Sequence, residues 1–101
     1  MQRRMPTPDL SPIHKLLSER AVREDLVVVK LSARAKRLIF KSSVKKGVEI
    51  VVPHGAVSSW VAEMTENRIP WIKSAERRVR EGRGHLNPTH IDLNAKVFFF
   101  F

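Results

Sequence analysis

The sequence predicts an α+β domain: a small antiparallel three-stranded sheet with one or two helices, over about 58–82, packed on one face. Three observations carry this. Two runs, Arg37-Leu-Ile-Phe-Lys-Ser42 and Val48-Glu-Ile-Val-Val-Pro53, flank Ser43-Val-Lys-Lys-Gly47, which suits a hairpin spanning about 37–53. A third run rich in β-branched residues, Asp25-Leu-Val-Val-Val-Lys-Leu31, comes before them. After Pro53 the apolar spacing becomes helical, with Trp71, Ile72, Ala75 and Val79 on one stripe.

Taken in order, residues 1–24 form a leader, with Pro6, Pro8 and Pro12 interrupting its first half. Proline fixes φ and pushes its predecessor towards extended geometry, so irregular structure is expected there. Ile13, Leu16 and Leu17 fall near one face, which allows a short helical turn within His14–Glu24. Residues 25–95 make up the single α+β domain. The continuous apolar stretch Leu26–Val29 within it suggests a strand covered on both faces or lying centrally. Gly47 supplies a turn residue free to take positive φ. Pro53 ends the third strand because it has no N–H for a ladder. Short connections favour antiparallel pairing of all three strands.

Ser58 or Ser59 can cap the following helix, whose apolar face is Val57, Val61 and Met64. A break is expected at Pro70, with the proline in the first turn of a fresh helix. Gly82 and Gly84 stop that helix, Asn87-Pro88 turns the chain, and His90-Ile-Asp-Leu93 alternates like a short strand. Residues 96–101 are an apolar tail ending in four phenylalanines. It is either a final strand or a strand cut short by truncation or a shifted frame. The second is the expectation, and with it self-association through Phe98–Phe101.

With 101 residues the chain has room for one small domain. It has no cysteine, which excludes disulfides and thiol chemistry and suits a reducing cytoplasm. The start has no apolar signal region, and no window approaches the roughly 20 apolar residues of a membrane helix. The net charge is +9, and residues 25–101 contribute most of it with fourteen bases against seven acids. Such a balance favours a nucleic-acid or anionic partner, bound weakly and salt-sensitively if the charge acts only as a diffuse field.

The blocks Ser32-Ala-Arg-Ala-Lys-Arg-Leu38 and Gly47-Val-Glu-Ile-Val-Val-Pro53, then Trp71-Ile72 on a basic helix, resemble the N-terminal region of the YgjP-like zinc metallopeptidases, relatives of the SprT-like and WLM proteases. Pro88-Thr-His-Ile-Asp-Leu93-Asn-Ala95 resembles the strand segment that follows there, and the likeness runs over about Leu26–Ala95. The resemblance implies a metal-dependent hydrolase whose chemistry sits downstream, on a helix bearing His-Glu-x-x-His with a later histidine completing the zinc site. Two histidines one helical turn apart reach one metal, and the glutamate polarises its water. This chain has His14, His54, His85 and His90, none followed by Glu and no pair with that interval. No catalytic or metal residue is therefore carried over, and zinc is expected only of a complete family protein. The best reading is a non-catalytic N-terminal portion, truncated and inactive alone. The alternatives are a small basic nucleic-acid-binding module and a structural or protein-interaction subunit.

Other chemistry is weak. The four glycines are scattered and form no phosphate loop. Ser58 and Ser59 suit capping better than nucleophilic attack, and Glu63 and Glu66 suit a solvated helix face. The candidate nucleic-acid or anion contacts are Arg34, Lys36, Arg37 and Lys41 around the second strand, and Lys73, Arg77 and Arg80 at i, i+4 and i+7 on the basic helix. A plainer account makes the first group the solvated, aggregation-blunting edge of a strand. Trp60 and Trp71 read first as core packing between helix and sheet, with base stacking as the alternative.

Overall fold

The computed structural model describes residues 9–83 and 86–93. The order is α1 (Ser11–Glu19), a single 3₁₀ turn (Glu24–Leu26), β1 (Val27–Ser32), β2 (Arg37–Ser43), β3 (Gly47–Pro53), α2 (Ser58–Asn67), α3 (Ile69–Arg80) and β4 (Thr89–Asp92). The α+β class is as expected. The sheet is not: it has four strands and mixed pairing, in the order β1-β3-β2-β4.

The hairpin forms where the sequence places it, with β2 antiparallel to β3 and Phe40 opposite Ile50. The correction concerns β1. It lies at the sheet edge and runs parallel to β3, from Val27 opposite Val48 to Ser32 opposite Pro53. The four-residue link between β1 and β2 does not join neighbouring strands, because β3 inserts between them. The physical reason is burial: all seven residues of β3 are buried, whereas β1 carries the exposed Val28 and Lys30. The strand with the most apolar surface to hide takes the centre, where neighbours flank both its edges. The fourth strand, β4, pairs antiparallel with β2, Leu38 opposite Ile91, so the short alternating segment joins the main sheet.

Gly47 makes the parallel pairing geometrically open. Its φ is +76°, and a Cβ there would stand 2.5 Å from the carbonyl oxygen of Leu26, the residue just before β1. Glycine is needed here both for the turn and for the close approach of a second strand.

One face of the sheet holds the core. Leu38, Phe40, Val48, Ile50, Val52 and Ile91 alternate inward and join Ile13, Leu16 and Leu17 of α1, Val61 and Met64 of α2, and Ile69, Ile72 and Ala75 of α3 in one cluster. Three helices, rather than one or two, supply the cover. The short helix expected near the leader starts at Ser11, and Ile13 and Leu17 are almost fully buried. Its ends are well tied. The Ser11 N–H donates to the Asp9 carboxylate at 3.0 Å, and hydrogen bonds from the Ser11 backbone and side chain hold the Asp9 carboxyl below its ordinary range. At the other end, Ala21 N–H bonds Ser18 C=O and Val22 N–H bonds Leu17 C=O. This is a Schellman motif, with the apolar pair Leu17 and Val22 buried beside it. Arg20 pairs with Glu66 and links α1 to α2.

The helical region breaks at Arg68, and Pro70 sits in the first turn of α3 as expected. Gly82, at φ +68°, ends α3 with the same Schellman bonds, Gly82 N–H to Val79 C=O and Arg83 N–H to Arg78 C=O. Neither Ser58 nor Ser59 caps α2: the N-cap position is Val57, and the Ser58 hydroxyl instead accepts the Asp9 N–H at 3.3 Å. That bond sets the start of α1 beside the start of α2. Gly84, His85 and the Val97–Phe101 tail lie outside the described residues. Among the described residues, no helix is long and apolar enough to cross a membrane.

Candidate functional site

The seven bases singled out from the sequence fall in three places. Arg34 and Lys36 are exposed on the link between β1 and β2. The Ser32 hydroxyl holds that link by accepting the N–H groups of Arg34 and Ala35 at 3.3 and 3.2 Å.

Arg37 and Lys41 lie on the sheet face away from the helices, and each has a carboxylate partner. Arg37 Nε stands 2.6 Å from Asp92 on β4. Lys41 Nζ stands 3.6 Å from Glu49, which Lys30 also reaches at 3.1 Å. Glu49 is buried beneath these two lysines. Burial opposes its charge, but the hydrogen bond and charge of Lys30, with Lys41 and Lys46, outweigh that and hold the carboxyl below its ordinary range. Charge at Arg37 and Lys41 is thus answered within the sheet, and since β2 is paired on both sides, with β3 and with β4, these two bases guard no open strand edge.

Lys73, Arg77 and Arg80 come together on the outer face of α3. The inner face, with Ile72 and Ala75 at zero exposure, is fixed against the sheet. Since side chains four apart share a helical face, the buried stripe fixes where the bases point. They line a shallow groove of about 290 Å³ together with Ala21 and Arg23, which follow the Schellman end of α1. Arg80 stands 3.5 Å from the buried Glu76 on the next turn. Arg23 is held by Asp25 at 2.8 Å. Lys73 and Arg77 have no carboxylate partner among the described residues. On the far side of Ser74 and Arg77 lies a second groove of about 380 Å³, bordered by Arg78, Arg83, Glu81 and Leu86.

Sequence reading misses Arg23, Arg78 and Arg83 as parts of this surface. Arg83 carries a signal, since the basic spacing continues past Gly82. Arg23 carries none, because only the packing of α1 brings it to α3.

The tryptophans follow the core-packing reading. Both are partly buried against the core cluster. The Trp71 ring meets Phe40 edge-on at 6.3 Å, and its indole N–H donates to the Asn87 carbonyl at 3.1 Å. Of the histidines, His14 lies 3.5 Å from Glu24, and His90 is exposed on β4. Among the described residues, no three His, Asp or Glu side chains form a group able to hold a metal ion. No family model, curated protein or solved structure matches this chain.

Proposed function

We propose that this chain is the non-catalytic, N-terminal sheet-and-helix portion of a YgjP-like metal-dependent hydrolase, inactive as a hydrolase on its own. What supports the reading is that the three sequence blocks behind the resemblance belong to one packed unit. Leu38 opens the core side of β2, the Gly47–Pro53 block is the inner strand beside it, and Trp71-Ile72 lies on that sheet through Phe40. Blocks that merely happened to look alike need not meet.

The reading assigns this chain a scaffolding role. It carries no His-Glu-x-x-His, so no ligand set for the zinc of such an enzyme is present in its sequence, and no chemical step is assigned to zinc here. The protein is expected to hold no stoichiometric zinc after dialysis and to show no zinc-dependent peptidase activity. One tightly held zinc per chain by metal analysis would overturn the non-catalytic assignment. The family assignment has its own test in the coding sequence beyond codon 101, read in all frames. A His-Glu-x-x-His is expected there, and its absence from every frame would remove the family reading.

A further inference from the structure

The outer face of α3 is more than a scatter of surface charge. The two grooves that flank it share Ser74 and Arg77, so they form one track. Six bases border the track, Arg23, Lys73, Arg77, Arg78, Arg80 and Arg83, against two acids, Glu76 and Glu81. Part of this charge is answered within the fold: Arg23 by Asp25, Arg80 by Glu76 and Arg83 by Glu81. Lys73 and Arg77 are not answered among the described residues, and they sit at i, i+4 on one face. Two unanswered like charges at that spacing oppose helix formation, and an anion laid along the face would relieve them. By contrast, Arg37 and Lys41 on the sheet face each have a carboxylate within reach, Asp92 and Glu49.

We propose that this face of α3 is a docking surface for the phosphodiester backbone of nucleic acid, contacted without reading base sequence. The inference goes beyond the metallopeptidase reading and does not rest on it. Length supports a chain of phosphates over a single one. From Lys73 to Arg80 the helix axis covers about 10 Å at about 1.5 Å per residue, longer than a single phosphate group, so the face can meet neighbouring phosphates along a strand. Beside the track, Trp71 is committed to Phe40 and Asn87 and is not offered to a base for stacking. The apolar content argues against a membrane as the anionic partner. Among the described residues the exposed large apolar side chains are Val28, Val44 and Val57, none of them on α3, so nothing there would anchor in lipid.

The test uses the full chain and a short labelled DNA duplex of mixed sequence, followed by fluorescence anisotropy across a salt series. Three to four phosphate contacts give an expected slope of log affinity against log salt of about −3 to −4. The double variant Lys73→Ala/Arg77→Ala is expected to reduce that slope by about 2 and to lower affinity at ~0.1 M salt roughly 50-fold. The single variants Lys73→Gln and Arg77→Gln, which keep helix propensity, should each lose about eightfold. As a control, Lys45→Ala/Lys46→Ala removes the same charge from the turn between β2 and β3 and should change affinity by less than about threefold. Scrambling the base sequence should change nothing. Equal losses from the two double variants would mean a diffuse field and overturn the proposal. So would the absence of binding at low salt, or preferential binding to phosphatidylserine vesicles over nucleic acid.

Discussion

At the scale of single residues, the two Schellman ends make a controlled comparison. Gly82 closes α3 at φ +68°, and Ala21 closes α1 at φ +58° with the same pair of backbone bonds. Alanine in the left-handed region meets a clash that glycine avoids. Ala21→Gly is therefore expected to stabilise the protein by about 0.5–1 kcal/mol, net of the greater freedom glycine brings to the unfolded chain. The midpoint of urea denaturation should rise accordingly; a fall would mean that the Ala21 methyl contributes packing that outweighs its strain. Glu49 offers a pH readout. Its folded-state pKa is depressed, so its stabilising contribution is fully present above the unfolded value and is lost as pH falls through the folded one. Lys30 and Lys41 are about half exposed, so water screens the pair, and the contribution is under about 1 kcal/mol. Glu49→Gln is expected to cost about that much at neutral pH and to flatten the loss of stability below about pH 5. An unchanged acid limb in the variant would show that Glu49 is not linked to folding.

At the scale of elements, the pairing of β1 with β3 depends on Gly47. A methyl group at that position meets the Leu26 carbonyl at 2.5 Å, a backbone atom that cannot rotate away, and the positive φ adds its own penalty. Gly47→Ala is expected to cost about 2–4 kcal/mol, well above the roughly 1 kcal/mol of a strained turn alone. Denaturation measures the total. Amide hydrogen exchange separates the causes: β1 should lose protection before the β2–β3 hairpin does. A penalty near 1 kcal/mol, with β1 protection intact, would mean the strands shift apart easily and that the glycine serves only the turn.

For the whole molecule, α1 decides what counts as the domain. Leu17 is buried to 1 % exposure in the same cluster as the sheet residues, so the N-terminal helix is continuous with the core. Leu17→Ala is expected to destabilise by about 2–4 kcal/mol through lost transfer energy and the cavity left behind. The shift should be identical by far-ultraviolet circular dichroism and by tryptophan fluorescence, since Trp60 and Trp71 report the same core. If fluorescence kept its original midpoint while helix signal was lost early, α1 would be an appendage that melts separately. Such cooperation also matters for the basic groove, because Arg23 reaches α3 only while α1 stays docked.

By itself the sequence determined the local elements and the polarity of each face. Alternation and β-branching place the hairpin, Pro70 starts α3, and Gly82 ends it, because these are properties of residues close together in the chain. Lys73, Arg77 and Arg80 are also legible as one face, since helical spacing alone aligns them. Only the tertiary structure decided which strand is central. The runs of 25–31 and 48–53 look equally apolar, and the choice rests on the full burial of β3 and on the space Gly47 leaves for Leu26. It also decided which bases remain available. Arg37 finds Asp92 across 55 positions of sequence and Lys41 finds Glu49 across a strand pair, whereas Lys73 and Arg77 find no carboxylate among the described residues. Charge pairing between distant segments is a property of the packed chain, so no spacing rule read along the sequence carries it.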